Sequence, residues 1–192
     1  MDANTFVALL RGINVGGKNK LPMKDLAEMF AAAGCHDVRT YIQSGNVVFT
    51  AAPKVADRLP SLIAARIEKA CGYHTPVVMR TVEQLAAVVA HNPFLATEAA
   101  LESLHVLFLA DRPSPSRIAT LDPDRSPPDT FVVRGREVFL CLPNGVARSK
   151  LTNAYFDSQL ATTSTGRNWR TVTTLLGMML GQSRATRKRP EA

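Results

Sequence analysis

Cations set among glycines at the ends of apolar runs are the residues of this chain whose types and spacing suit chemistry, and that chemistry is holding an anion. The segment RGINVGGKNK, residues 11–20, separates a strand-like run from a helix-like one. Glycines at 12, 16 and 17 let backbone N–H groups turn toward a ligand, while Arg11, Lys18 and Lys20 add charge and Asn14 a side-chain donor. Gly12, Gly17 and Lys18 also spell G-x-x-x-x-G-K, but Asn19 stands where a Ser or Thr would hold magnesium. The loop is therefore read as an anion cradle rather than a nucleotide triphosphatase loop. A plain surface turn with solvated lysines is the competing reading.

Three further blocks share this character. In TYIQSGNVVF, residues 40–49, Ser44, Gly45 and Asn46 are turn formers, and Tyr41 and Gln43 could face the same cleft as Arg11 and Asn14. In LPNGVARSKLTN, residues 142–153, Arg148, Ser149 and Lys150 are expected to open a helix with Ser149 as N-cap. In TSTGRNWRT, residues 163–171, Arg167, Asn168 and Arg170 are expected at the first turn of the last helix, beside Trp169. Cations at a helix N-terminus oppose the macrodipole unless an anion or a carboxylate compensates them. The candidate ligand-binding set is thus Arg11, Asn14, Gly16, Gly17, Lys18, Tyr41, Ser44, Arg148, Lys150, Arg167, Asn168 and Arg170. The plainer alternative is that Trp169 anchors a core and the arginines pair with acidic residues from the middle of the chain.

No familiar catalytic constellation stands beside these blocks. There is no G-x-S-x-G elbow and no pair of carboxylates in a hydrolytic pattern. Cys35, Cys71 and Cys141, like the four histidines, are too scattered for a metal or redox motif, so neither metal nor cofactor is expected. The catalytic residues are left unknown. The leading reading is a protein that binds a phosphate-bearing or other anionic small ligand. The alternatives are a metal-free enzyme using Tyr41, Ser44, Lys18 or Arg167 as acid, base or oxyanion donor, and a nucleic-acid-binding or oligomeric interaction protein. Aromatic residues make up only 6% of the chain and show no stacking pattern, which places nucleic acid behind a small ligand. The methionine-bearing last helix offers a face for another copy of the chain.

The elements that must position these residues read as strand, helix, strand, strand, helix, strand over the first eighty positions. Phe6 to Ile13 is the apolar run of a strand buried on both faces, Pro22 to Gly34 brackets a helix, and Ser44-Gly45 is a two-residue hairpin turn. A second helix is expected over residues 55–72 and a strand over 75–79. The later half repeats the order after a helix near 82–90: a strand at 104–109, a short helix at 115–121 and a hairpin through Arg134-Gly135-Arg136. It closes with a helix at 149–160, a strand at 161–165 and an extra helix at 169–181. The expected fold is α+β: two ferredoxin-like βαββαβ subdomains packed together, over 1–80 and 81–183, with mostly antiparallel sheets, an extra C-terminal helix and a disordered basic tail at 184–192.

Charge follows the same division. Residues 1–80 carry ten basic and six acidic side chains, 81–133 three and seven, and 134–192 ten and three, within a total of +7. Basic flanks around an acidic middle suit a local anion site better than a general nucleic-acid coat. No run of 18 apolar residues is present, so a membrane is not an expected partner, and the N-terminus lacks the basic start of a secretion signal. A cytoplasmic protein is expected.

The blocks ALLRGINVGGKNKLPMKDL, VRTYIQSGNVVF, Asn92-Pro93-Phe94, LPNGVARSKLTN and GRNWRTVTTLLGM together resemble the bacterial "domain of unknown function 1697" family over nearly the whole chain. That resemblance implies a small cytoplasmic α+β protein with ferredoxin-like subdomains. It implies no reaction, cofactor or catalytic residue.

Overall fold

The computed structural model describes residues 4–182, so the tail expected over 184–192 lies outside the described residues. The chain begins with β1 (Asn4–Leu10), α1 (Met23–Ala31), β2 (His36–Tyr41), β3 (Asn46–Ala51), the single turn α2 (Pro53–Ala56), α3 (Leu59–Cys71), β4 (Val77–Thr81) and α4 (Val82–Ala90). It continues with β5 (Leu104–Leu109), α5 (Pro115–Ile118), β6 (Thr130–Arg134), β7 (Glu137–Cys141), α6 (Asn153–Leu160), β8 (Ser164–Asn168) and α7 (Trp169–Met179). The fold is mixed α+β, with two four-stranded antiparallel sheets ordered β2-β3-β1-β4 and β6-β7-β5-β8.

Strand alternation sorts the apolar residues into three layers. Phe6, Ala8 and Leu10 point one way from β1, into a core closed by Leu26 and Phe30 of α1 and by Leu59, Ile63 and Ile67 of α3. Val7 and Leu9 point the other way, into a middle core shared by both sheets, where Leu85 and Val88 of α4 meet Trp169, Val172 and Leu175 of α7. On β5 the same alternation sends Val106 and Phe108 into that middle core and Leu107 and Leu109 into a third, closed by Tyr155, Phe156 and Leu160 of α6. Helix α7, expected as an addition to the second unit, has a counterpart in α4: each follows the last strand of its sheet, and the two pack together between the sheets.

Five expectations shift. The second helix is broken into α2 and α3. The strand expected at 75–79 runs from Val77 to Thr81. The hairpin turn has four residues, Ile42–Gly45, because Ile42 and Gly45 both take positive φ (46° and 71°) and buried Asn46 ties itself back by donating from Nδ2 to the Tyr41 carbonyl at 3.1 Å. The helix expected from Ser149 starts at Asn153: the Ser149 hydroxyl instead accepts from the Leu151 N–H, and Thr152 becomes the N-cap by accepting from Tyr155 N. The strand at 161–165 lies three residues later, at Ser164–Asn168, where it pairs with β5.

Candidate functional site

Two buried arginines join the halves, and they sit at equivalent places. Arg80 is the last residue before Thr81, the N-cap of α4; Arg167 is the last before Asn168, the N-cap of α7. Each crosses to the opposite sheet. Arg80 donates from Nη2 to the carbonyls of Leu109 (2.8 Å) and Arg136 (3.0 Å) and from Nε to Glu137 Oε1 at 2.8 Å. Arg167 donates from Nη2 to the carbonyls of Leu10 (2.7 Å), Ser44 (3.1 Å) and Gly45 (3.2 Å), from Nη1 to Gly166 O and Thr165 Oγ1, and from Nε to Asn46 Oδ1. Leu10 and Leu109 end β1 and β5, while Asn46 and Glu137 open β3 and β7. The same backbone bond joins Leu10 N to Gly45 O and Leu109 N to Arg136 O, both at 2.8 Å.

The two clamps differ in charge. Arg80 is 1% exposed and meets a carboxylate, with Phe108 beneath its guanidinium at 5.5 Å. At the equivalent place Arg167 meets the neutral amide of Asn46, and among the described residues it makes no ion pair. Burial alone pushes its pKa down to about 10, so it remains charged at neutral pH. Moving an unpaired ion out of water costs several kcal/mol, roughly, even after relaxation. The carbonyls around Arg167 satisfy its donors but do not cancel its charge.

Beside Arg167 lies a cleft of about 570 Å³ between the end of β1 and the β5–β8 face of the second sheet. Arg11, Ser44, Arg167 and Asn168 from the expected set line it, together with Gly12, His105 and Asn153. Its counterpart beside Arg80 holds only about 180 Å³. Strand pairing explains the difference: Phe6 opposite Thr81 and Met79 opposite Ala8 fill the small one, whereas His105 opposite Asn168 and Gly166 opposite Leu107 stand in the large one. Two bulky plugs are thus replaced by an imidazole and a hydrogen atom. A Cβ at Gly166 would come within 2.9 Å of Leu107 Cδ2.

The polar groups of the cleft are arranged unequally. Arg11 is ion-paired through Nη1 with Asp157 and also donates to Ser164 O at 3.3 Å, which leaves Nε and Nη2 without a partner among the described residues. Asp157 is held in turn by the Ser164 hydroxyl, which donates to Oδ1 at 2.6 Å. His105 places Nδ1 3.1 Å from the Ser103 carbonyl, so in the neutral ring Nδ1 carries the proton and Nε2 is an acceptor. Desolvation, the larger cause, pulls the His105 pKa below its ordinary value despite that bond.

The other expected residues go elsewhere. Asn14, at φ 55°, is fully used in holding its loop to the β2–β3 turn: it donates to Leu21 O and Gln43 O at 2.9 Å each and accepts from Leu21 N at 2.8 Å. Gly16 and Gly17 form an exposed tip closed by Lys18 N to Val15 O, and Lys18 is exposed beyond them. Tyr41 packs against the middle core. Arg148 ends a 3-10 turn and Lys150 follows in irregular chain, both exposed, so neither lies at a helix start. Arg167 is a strand residue rather than a helical one; Arg170 alone lies in the first turn of α7, exposed beside a separate depression with Trp169. The sequence offered no sign of Arg80 or Asp157, Asn153 stood out only as the last residue of the 142–153 block, and His105 has no ligand-like residue beside it in the sequence.

Comparison with known proteins fits this picture at the level of family and fold. The family described as "Protein of unknown function (DUF1697)" matches residues 3–139. The chain belongs to that family. The match ends within β7, ahead of LPNGVARSKLTN and GRNWRTVTTLLGM, so those two blocks lie outside it. The structure is similar to that of the conserved bacterial protein SP0830 from Streptococcus pneumoniae, at TM-score 0.71 and 20% identity, covering 93% of this chain and 99% of that one. No curated protein matches the sequence. Among the described residues no helix is long and apolar enough to cross a membrane, and no group of three or more His, Cys, Asp or Glu could hold a metal ion.

Proposed function

We propose that this DUF1697 protein binds a small ligand with one anionic group, phosphate or carboxylate, and an apolar body, in the cleft beside Arg167. The observation that carries this reading is the buried charge of Arg167, which has an amide where its counterpart Arg80 has a carboxylate. The donors of Arg167 are occupied, so it supplies field rather than a hydrogen bond. Direct donors are Nε and Nη2 of Arg11 and the hydroxyl of Ser44. Leu107, Leu140 and Leu142 give the ligand's body an apolar wall, and the volume falls within the roughly 300–1,000 Å³ usual for small-molecule sites. His105 Nε2 can accept a hydrogen bond from a hydroxyl on the ligand.

This reading moves the anion from the tip of the Gly-Lys loop to its base. Arg11 and Gly12 remain in the site, while Gly16, Gly17 and Lys18 form a surface hairpin. We read each half as a ferredoxin-like subdomain, over 1–80 and 81–183, with the cleft where the halves meet. Calorimetric titration with hexanoate and hexyl phosphate tests the proposal. Both are expected to bind, with affinity falling at least tenfold in Arg11→Gln; absence of saturable binding by either would overturn it.

A further inference from the structure

We propose that a second cleft, lined by Arg112, Arg134 and Arg136, holds the phosphate of a small phosphomonoester whose apolar body lies on Val88 and Phe139. This cleft, of about 530 Å³, runs between the C-terminal part of α4 and the β6–β7 hairpin, and shares neither residues nor charge with the one beside Arg167. Its only lining carboxylate, Glu137, is already bonded to buried Arg80 at 2.8 Å. Three guanidiniums therefore face one hollow without a free acid among the residues that line it.

Fold architecture accounts for part of this and leaves the rest. Arg134 donates from Nη1 to His91 O at 2.9 Å, at the C-terminal end of α4, where a cation offsets the helix dipole. Arg136 donates from Nη1 to Ala110 O at 3.4 Å. Their other nitrogens have no partner among the described residues, and Arg112 has none at all. A two-residue turn needs Gly135, at φ 61°, but places no demand for arginine on either side of it. Like charges gathered around one concavity repel unless an anion sits between them. Phosphate suits this set better than carboxylate, with about −1.5 to −2 charges at neutral pH and three oxygens for forked guanidinium donors.

Amide-shift titration of the whole chain with phenyl phosphate, benzoate and inorganic phosphate tests this. Saturable shifts at Val88 and Gly135 are expected with phenyl phosphate, at least tenfold weaker binding of benzoate, and at least tenfold loss in Arg112→Gln/Arg136→Gln with Gly166 and Asn168 undisturbed. Both substitutions are on solvent-accessible side chains, and an unchanged amide spectrum elsewhere verifies the fold. Shifts confined to the Arg167 cleft, absence of saturation, or full affinity in the double variant would overturn the proposal. So would a single-stranded oligonucleotide that binds here more tightly than phenyl phosphate and loses affinity steeply with salt, since that result would assign the cleft to nucleic acid.

Discussion

Glu137 and Asn46 open equivalent strands and face equivalent arginines, yet removing one and charging the other have opposite consequences. Glu137→Gln strands the Arg80 charge in an almost fully buried position, and is expected to cost about 3–5 kcal/mol in urea unfolding. Replacing both Arg80 and Glu137 by methionine should restore much of that loss, because the desolvation cost of the pair disappears with its attraction. His105 sets a pH dependence. Its folded pKa lies below the ordinary 6.5, so the unfolded chain takes up a proton first as pH falls. The stability from keeping the ring neutral is complete above 6.5 and is lost as pH drops toward the folded pKa. Chemical unfolding of His105→Gln at several pH values between roughly 5 and 7.5 should show a flatter profile than wild type; an equal slope would remove His105 as the cause.

Among the elements, the β2–β3 connection is the most constrained. A Cβ at Gly45 would lie 2.7 Å from Leu10 Cβ, on a backbone with φ 71°, so Gly45→Ala is expected to lose about 2–4 kcal/mol and to loosen the carbonyls that hold Arg167. Thr81→Ala, which removes the capping box with Gln84 at the start of α4, should cost about 1 kcal/mol in the same assay. Most of the elements were legible in the sequence because their apolar periods are clear: Leu26 and Phe30 on α1, the alternation of β5, the Gly135 turn. The start of α6 was not, since Ser149 and Thr152 are both good caps and the choice rests on which hydroxyl meets which N–H. The limits of β8 were not either, because a Thr-rich stretch becomes a strand only where β5 is there to pair with it. For the candidate site, the donor-rich character of the segments that carry Arg11, Ser44 and Arg167 was readable residue by residue, but their meeting at one cleft was not. The parts played by Arg80, Asn46 and Gly166 were hidden, since each acquires meaning only when one half is set against the other.

At the scale of the whole molecule, the chain uses one arrangement twice and makes the copies unequal. One copy is plugged by Phe6 and Met79 and neutralised by Glu137; the other is opened by His105 and Gly166 and left charged at Arg167. The net charge of +7 matters less than this placement, because most of the cations among the described residues are exposed and screened, while Arg167 acts from a site of low dielectric. The inequality is the basis of the proposed function, and a near-isosteric change can cancel it. Asn46→Asp gives Arg167 the carboxylate that Arg80 already has, at the cost of the amide bond to Tyr41 O. The most direct measurement is therefore hexanoate affinity by calorimetry in wild type and in Asn46→Asp, with folding of both verified by circular dichroism. The account predicts at least a tenfold loss in the folded variant; unchanged affinity would contradict it.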